Sequence, residues 1–155
     1  MNNNVYFYET KIGTIGIREN SKYITDIYFS KIDTNDNIKE TELIKKCFSQ
    51  LREYFEGNRI SFDLHTQPEG TEFQKKVWNE LLKIPYGETK SYKDIALAIG
   101  NEKACRAIGM ANNKNPIPII IPCHRVIGSN KKLVGYSGGI DVKEKLLNIE
   151  NINLK

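Results

Sequence analysis

The spacing of apolar residues changes partway along this chain, and that change limits the fold more than any other feature. Val5 and Phe7, then Ile12, Ile15 and Ile17, then the run from Tyr23 to Phe29, lie in short β-rich segments. Alternating apolar and polar residues put every second side chain on one face of a strand. Gly13 and the Glu19-Asn20-Ser21 cluster supply turns, so the first 30 residues predict a three-stranded antiparallel meander. After a polar break at Asn35–Asn37 the period lengthens. Leu43, Ile44, Cys47, Phe48, Leu51, Tyr54 and Phe55 recur every three or four residues, which is an amphipathic helix stopped by Gly57. Ile60 to Leu64 is expected to return as one more strand.

His65-Thr66-Gln67-Pro68-Glu69-Gly70 is polar and broken by Pro and Gly, the mark of a linker. Beyond it the helical period dominates. Thr71 is placed to cap a helix carrying Phe73, Val77, Trp78, Leu81 and Leu82, ended by Pro85-Tyr86-Gly87. Ser91 opens a short helix with Ile95, Ala96 and Ile99 on one face, closed by Gly100. A third helix is expected from Asn101 through Lys103, Arg106, Met110 and Ala111. Two short helices joined by a tight glycine-containing turn form a helix-turn-helix. Asn115-Pro116-Ile117-Pro118 is a rigid extended link, and Ile119-Ile120-Ile121 is expected to be a buried strand closed by Pro122. Past a loop rich in Gly and Ser, Val142, Leu146, Leu147 and Ile149 mark a last amphipathic helix.

At 155 residues the chain holds one compact domain or two small ones. The net charge of +4 suits a polyanionic partner without singling one out. No stretch approaches the ~20 apolar residues of a membrane span, and the N-terminus shows no signal peptide. Three cysteines at irregular spacing, Cys47, Cys105 and Cys123, argue against a disulfide framework and for a reducing, cytoplasmic setting. Cys47 and Cys105 read as packed residues, and no Cys/His spacing suggests a metal.

The densest chemistry is in Ile119-Ile120-Ile121-Pro122-Cys123-His124-Arg125-Val126. A nucleophilic cysteine needs thiolate character, which nearby basic or cationic groups supply. His124 is a candidate general base, and Arg125 adds positive potential. Consecutive side chains of a strand point to opposite faces, so Cys123 and His124 cooperate only if the chain turns at Pro122 or Cys123. They also need a third group to orient the imidazole. A buried cysteine followed by a surface His-Arg pair fits these residues alone equally well.

The sequence from Asn115 to Ile127 resembles the methylated-DNA–protein-cysteine methyltransferases, the 6-O-methylguanine repair family. The likeness continues through Gly135-Tyr136-Ser137-Gly138-Gly139, Lys143-Glu144, Leu146-Leu147 and Glu150. Upstream it takes in Phe73-Gln74, Val77-Trp78, Ile84-Pro85-Tyr86-Gly87-Glu88-Thr89, Ser91-Tyr92 and Cys105-Arg106-Ala107-Ile108-Gly109. It is strong over about residues 71–150, and the N-terminal half follows the family in order of elements only.

The resemblance implies that Cys123 accepts the alkyl group. It implies that His124 takes the thiol proton through a water, that Glu150 orients His124, and that Asn115 joins this network and braces the preceding turn. Tyr92 and Ser137 match hydroxyls that donate to the departing guanine, and Val126 matches a residue at the substrate. Arg106 matches a side chain that fills the duplex where the base was extruded, with Lys103 and Lys114 on phosphates. No cofactor is implied. Some relatives hold zinc in the N-terminal domain, but no cysteine precedes Cys47, so zinc is not carried over.

The expected fold is therefore α/β. Residues 1–66 make a small ribonuclease-H-like sheet with one helix, and residues 71–155 make a mostly helical domain with a helix-turn-helix. The expected function is irreversible, single-turnover transfer of an alkyl group from the 6-oxygen of guanine in double-stranded DNA to Cys123, by a monomer that flips the base. That chemistry requires the sulfur to lie exposed to the everted purine. An alkyltransferase-like protein that binds the lesion without transfer is the alternative, and it would lack the acceptor cysteine. A helix-turn-helix regulator would not need Cys123, His124 and Tyr92 together, and a cysteine hydrolase would turn over repeatedly.

Overall fold

A computed structural model describes residues 3–128, 136 and 138–152, and the chain divides into two compact units, Met1–Glu69 and Gly70–Lys155. In the first unit β1 (Asn4–Thr10), β2 (Gly13–Glu19) and β3 (Ile24–Tyr28) form the antiparallel meander that the alternation predicts. α1 (Glu42–Phe55) packs on this sheet. Val5, Ile15, Ile17 and Ile24 from the strands and Ile44, Leu51 and Tyr54 from the helix are fully buried. Each such side chain contributes about 1.5–3 kcal/mol of hydrophobic stabilisation. Thr41 caps α1 by accepting from the Ile44 N–H.

One expectation for this unit fails. The fourth strand is not Ile60–Leu64 but β4 (Asn37–Ile38), which runs parallel to β1 at the sheet edge. The segment near residue 62 has other partners. The Gln50 side chain donates to the Asp63 carbonyl and accepts from the Asp63 N–H, and the Phe62 ring packs against Tyr54. Those contacts use up the groups a ladder would need. The division between the units falls within the segment 65–70, whose first residues are tied to β3: the Ile24 N–H donates to the His65 carbonyl and the Gln67 N–H to the Ile24 carbonyl.

In the second unit α2 (Glu72–Leu81) starts at a complete capping box, in which Thr71 and Gln74 satisfy each other's backbone N–H groups. Ser91 and Asp94 repeat the device at α3 (Tyr92–Ala98). Gly100, at φ +79°, makes the turn toward α4 (Cys105–Asn113), completing the helix-turn-helix. α4 begins later than the sequence suggests. Ala104 donates its N–H to the Asn101 carbonyl, so residues 101–104 form a separate turn and Lys103 lies outside the helix. Trp78 locks α2 to α4 through Nε1, which donates to the Ala111 carbonyl at 2.9 Å. α5 (Ile140–Ile149) follows. No described helix is long and apolar enough to cross a membrane.

The isoleucine run is buried as expected but is not a strand. Ile119 has φ +76°, the Ile121 N–H donates to the Ile117 carbonyl, and the segment folds back on itself. The Asn115 side chain holds this shape from both ends. Its Oδ1 accepts from the Ile117 N–H at 3.0 Å, and its Nδ2 donates to the Ile121 carbonyl at 2.8 Å.

Candidate active site

The turn that Cys123 and His124 require is present. Pro122 leads into a single 3-10 turn, Cys123–Arg125, closed by the Arg125 N–H donating to the Pro122 carbonyl. The chain then enters β6 (Val126–Ile127), which pairs in parallel with β5 (Lys90–Ser91). That pairing seats the first residue of α3, Tyr92, beside the turn that carries the sulfur. The charge of Cys123 is among the influences on Tyr92, which burial chiefly pushes above the usual tyrosine range.

His124 is fully buried, and its Nε2 lies 2.6 Å from Glu150 Oε2. Glu150 is the C-cap of α5, where the helix dipole disfavours a carboxylate. Three donors overcome that. Arg125 Nε reaches Oε1 at 2.9 Å, an Arg125 terminal nitrogen reaches Oε2 at 3.1 Å, and the Gly87 N–H reaches Oε1 at 2.9 Å. Gly87 sits at φ +83°, where a side chain would be strained. Burial alone would raise the Glu150 carboxyl, but His124, Arg125 and Gly87 together hold it down at about 2. Burial lowers His124 despite the carboxylate beside it, so the imidazole rests neutral. With Nε2 committed to Glu150, Nδ1 is the ring nitrogen for taking up a proton.

Cys123 is only 1% exposed, so the expectation of an open sulfur is wrong for this state. Sγ lies 3.6 Å from the Tyr136 hydroxyl. Burial pushes the thiol above its ordinary value, while hydrogen bonds from Asn115 and Tyr136 and the charge of Lys143 pull the other way. The thiol is therefore protonated at rest and needs a base at the moment of attack.

Three side chains near the sulfur have roles that the sequence did not suggest. Lys143 is fully buried, donates from Nζ to the Val126 carbonyl at 2.6 Å, and sits 5.9 Å from the Tyr136 ring centre. Burial lowers its ammonium to about 8, while Cys123 favours the charged form. A signal was available, since Lys143 is three and four residues from Leu146 and Leu147 and so shares their apolar stripe. Tyr136 stood in the sequence as part of the loop motif only. Arg125 does not lend its charge to the sulfur, because it is bound to Glu150 and to the Ile84 carbonyl at 2.7 Å.

The remaining candidates are placed as follows. Asn115 is buried and holds the turn before Cys123. Val126 is buried in β6, with its carbonyl taken by Lys143. Arg106, near the start of α4, and Lys103 and Lys114, flanking that helix, are all exposed. Ser137 lies outside the described residues. Among the described residues no group of three or more His, Cys, Asp or Glu is arranged to hold a metal ion.

Both halves of the chain match known proteins. Residues 72–152 match the model of the 6-O-methylguanine DNA methyltransferase DNA-binding domain, and residues 5–68 match that of its ribonuclease-like domain. The chain is 49% identical to a methylated-DNA–protein-cysteine methyltransferase of Methanosarcina barkeri, covering 95% of this chain and 96% of the relative. It is 46% identical to the constitutive enzyme of that name from Bacillus subtilis, over 95% and 94% of the two chains. A crystal structure of Mycobacterium tuberculosis OGT in complex with DNA superimposes with a TM-score of 0.89 at 40% identity, covering 95% of this chain and 92% of that one. With both halves matched in order, this chain belongs to the 6-O-methylguanine DNA methyltransferase family.

Proposed function

We propose that this protein repairs DNA by taking an alkyl group from the 6-oxygen of guanine onto Cys123, once per molecule. The observation that carries the reading is the buried His124–Glu150 pair at 2.6 Å, with His124 next to Cys123 in the same 3-10 turn. A neutral imidazole backed by a fixed carboxylate is suited to accept the thiol proton, through an intervening water, as the sulfur attacks. In that step the S–alkyl bond forms as the alkyl–oxygen bond breaks. The electron pair goes to the guanine, and a proton from the Tyr92 hydroxyl neutralises the ring. The proton that His124 took from the thiol returns through solvent to the Tyr92 oxygen, so both side chains end neutral. The product is a thioether, which has no easy leaving group, so water does not regenerate the thiol.

The lesion lies inside the duplex, so the nucleotide must be rotated out before the sulfur reaches it. A buried Cys123 fits that order of events: the pocket opens to the incoming base, and the thiol stays protonated until then. Arg106 on α4 fills the vacated position, and Lys103 and Lys114 meet phosphates. One flipped base needs one pocket, so the protein acts as a monomer. All three cysteines are free thiols, which suits a reducing cytoplasm.

The test is a titration of protein against duplex containing 6-O-methylguanine. Restored guanine is expected to stop at one per protein chain. Continued turnover favours a hydrolytic mechanism, and tight binding with no restored guanine favours a lesion-binding protein.

A further inference from the structure

Asn112 has no part in the proton path from Cys123 to Glu150, yet it is 1% exposed and lies in the last turn of α4, the helix that carries Arg106. Its Nδ2 donates to the Cys123 carbonyl at 3.2 Å. A carbonyl can only accept, so the amide nitrogen must face it and the orientation of the amide is fixed. Oδ1 is then the open end: it is buried and accepts no hydrogen bond among the described residues. A buried acceptor without a donor is costly, so such an atom calls for a partner. The backbone oxygens of the adjoining turn are already in use. The Cys123 carbonyl accepts from the Val126 N–H as well as from Asn112, and the Val126 carbonyl accepts from Lys143 at 2.6 Å. Gly109, three residues before Asn112 on α4, faces the Tyr92 ring, since a Cβ there would lie 3.8 Å from Cε1. One helix thus carries an open acceptor tied to the backbone of Cys123 and, a turn earlier, a small residue against the ring of Tyr92.

We propose that Asn112 is a specificity-determining residue, whose Oδ1 accepts a hydrogen bond from the 2-amino group of the everted alkylguanine. Alkylation at the 6-oxygen leaves the guanine N1 without its proton, so the 2-amino group is the N–H donor that remains on the pairing edge of the base. Cys123 is as deeply buried as Asn112, so the opening that admits the base to the sulfur brings that edge to the amide. The bond from Nδ2 to the Cys123 carbonyl fixes the reading atom relative to the acceptor. A thymine alkylated at its 4-oxygen carries a carbonyl where guanine carries the amine, which sets acceptor against acceptor. Asn112 therefore directs the site to guanine lesions.

This inference rests on the transfer reading above, and the experiment separates the two. Single-turnover transfer at subsaturating DNA is measured for the unsubstituted protein and Asn112→Leu, on duplexes containing 6-O-methylguanine or 6-O-methylhypoxanthine, which lacks the 2-amino group. The proportion folded is read from the fluorescence of Trp78, the only tryptophan, which bonds the Ala111 carbonyl beside Asn112. The two lesions pair differently in the duplex, but that difference is the same for both proteins and cancels when their guanine-to-hypoxanthine rate ratios are compared. Asn112→Leu is expected to lower that ratio about tenfold, the effect of one hydrogen bond to a buried group. Loss of the bond to the Cys123 carbonyl slows both lesions alike, so the ratio reads the Oδ1 role alone. A ratio that changes less than about twofold overturns the proposal and leaves Asn112 a brace for the Cys123 backbone. If Asn112→Leu does not fold, Asn112→Ala is judged by the same ratio. Absence of any alkylated Cys123 with either lesion removes the transfer reading and this one with it. An adduct with an unchanged ratio removes only this one.

Discussion

Replacing Glu150 with Gln tests the centre of the site, because two independent arguments give its size. The side chain keeps its shape but loses the charge that faces His124 and Arg125. A carboxylate held at about 2 instead of its usual 4.5 contributes about 3 kcal/mol to stability at neutral pH. Removing one partner of a buried ion pair costs about 3–5 kcal/mol, because the other charge stays buried and uncompensated. The carboxyl is depressed in the folded state, so its contribution is complete above about pH 4.5 and is lost as pH falls through about 2. The assay is urea unfolding followed by fluorescence of the single, buried Trp78, which reports on the unit 70–155. His124 adds an acid loss of its own, since burial disfavours its protonated form, so the difference between the two proteins is compared at each pH. At pH 7, Glu150→Gln is expected to lose about 3 kcal/mol, and the two stabilities are expected to converge below pH 4.5. A loss under about 1 kcal/mol, or a difference that stays constant down to pH 2.5, refutes the reasoning.

Arg106→Ala is expected to weaken binding to duplex DNA and to slow transfer from duplex far more than from a free alkylated base, measured by fluorescence anisotropy and single-turnover rates. Lys103→Ala and Lys114→Ala are each expected to lower the salt slope of log Kd by about 1 while leaving the saturated transfer rate unchanged, which a salt titration checks. Thr71→Ala breaks the capping box of α2 and is expected to cost about 1 kcal/mol in the same Trp78 unfolding assay, with the adduct still formed.

Local signals in the sequence were enough for most elements. Thr71 and Ser91 each stand three residues before a partner side chain, and both helices begin there. Ser91 to Arg106 laid out the helix-turn-helix because its caps and glycine act within a few residues. Failures came where a side chain competes with the backbone at long range. Gln50 takes the bonds that would have made a strand near Asp63, and Asn115 bends the isoleucine run that composition alone reads as extended. Burial of charge was invisible for the same reason. Nothing local to Glu150 marks it as buried, and its partners Arg125 and Gly87 are 25 and 63 residues away. Resemblance to a family supplied the Glu150 role, whereas the Lys143 contact became apparent only once the helices were packed.

The central claim is that a single sulfur takes the alkyl group and keeps it. Intact-protein mass spectrometry after mixing with 6-O-methylguanine duplex, followed by peptide mapping, tests this most directly. The account predicts one added mass of about 14 Da (a CH₂), located on Cys123 and lost in Cys123→Ala while Cys47 and Cys105 stay unmodified. Guanine restored with no change in protein mass, or the added mass on another residue, would contradict it.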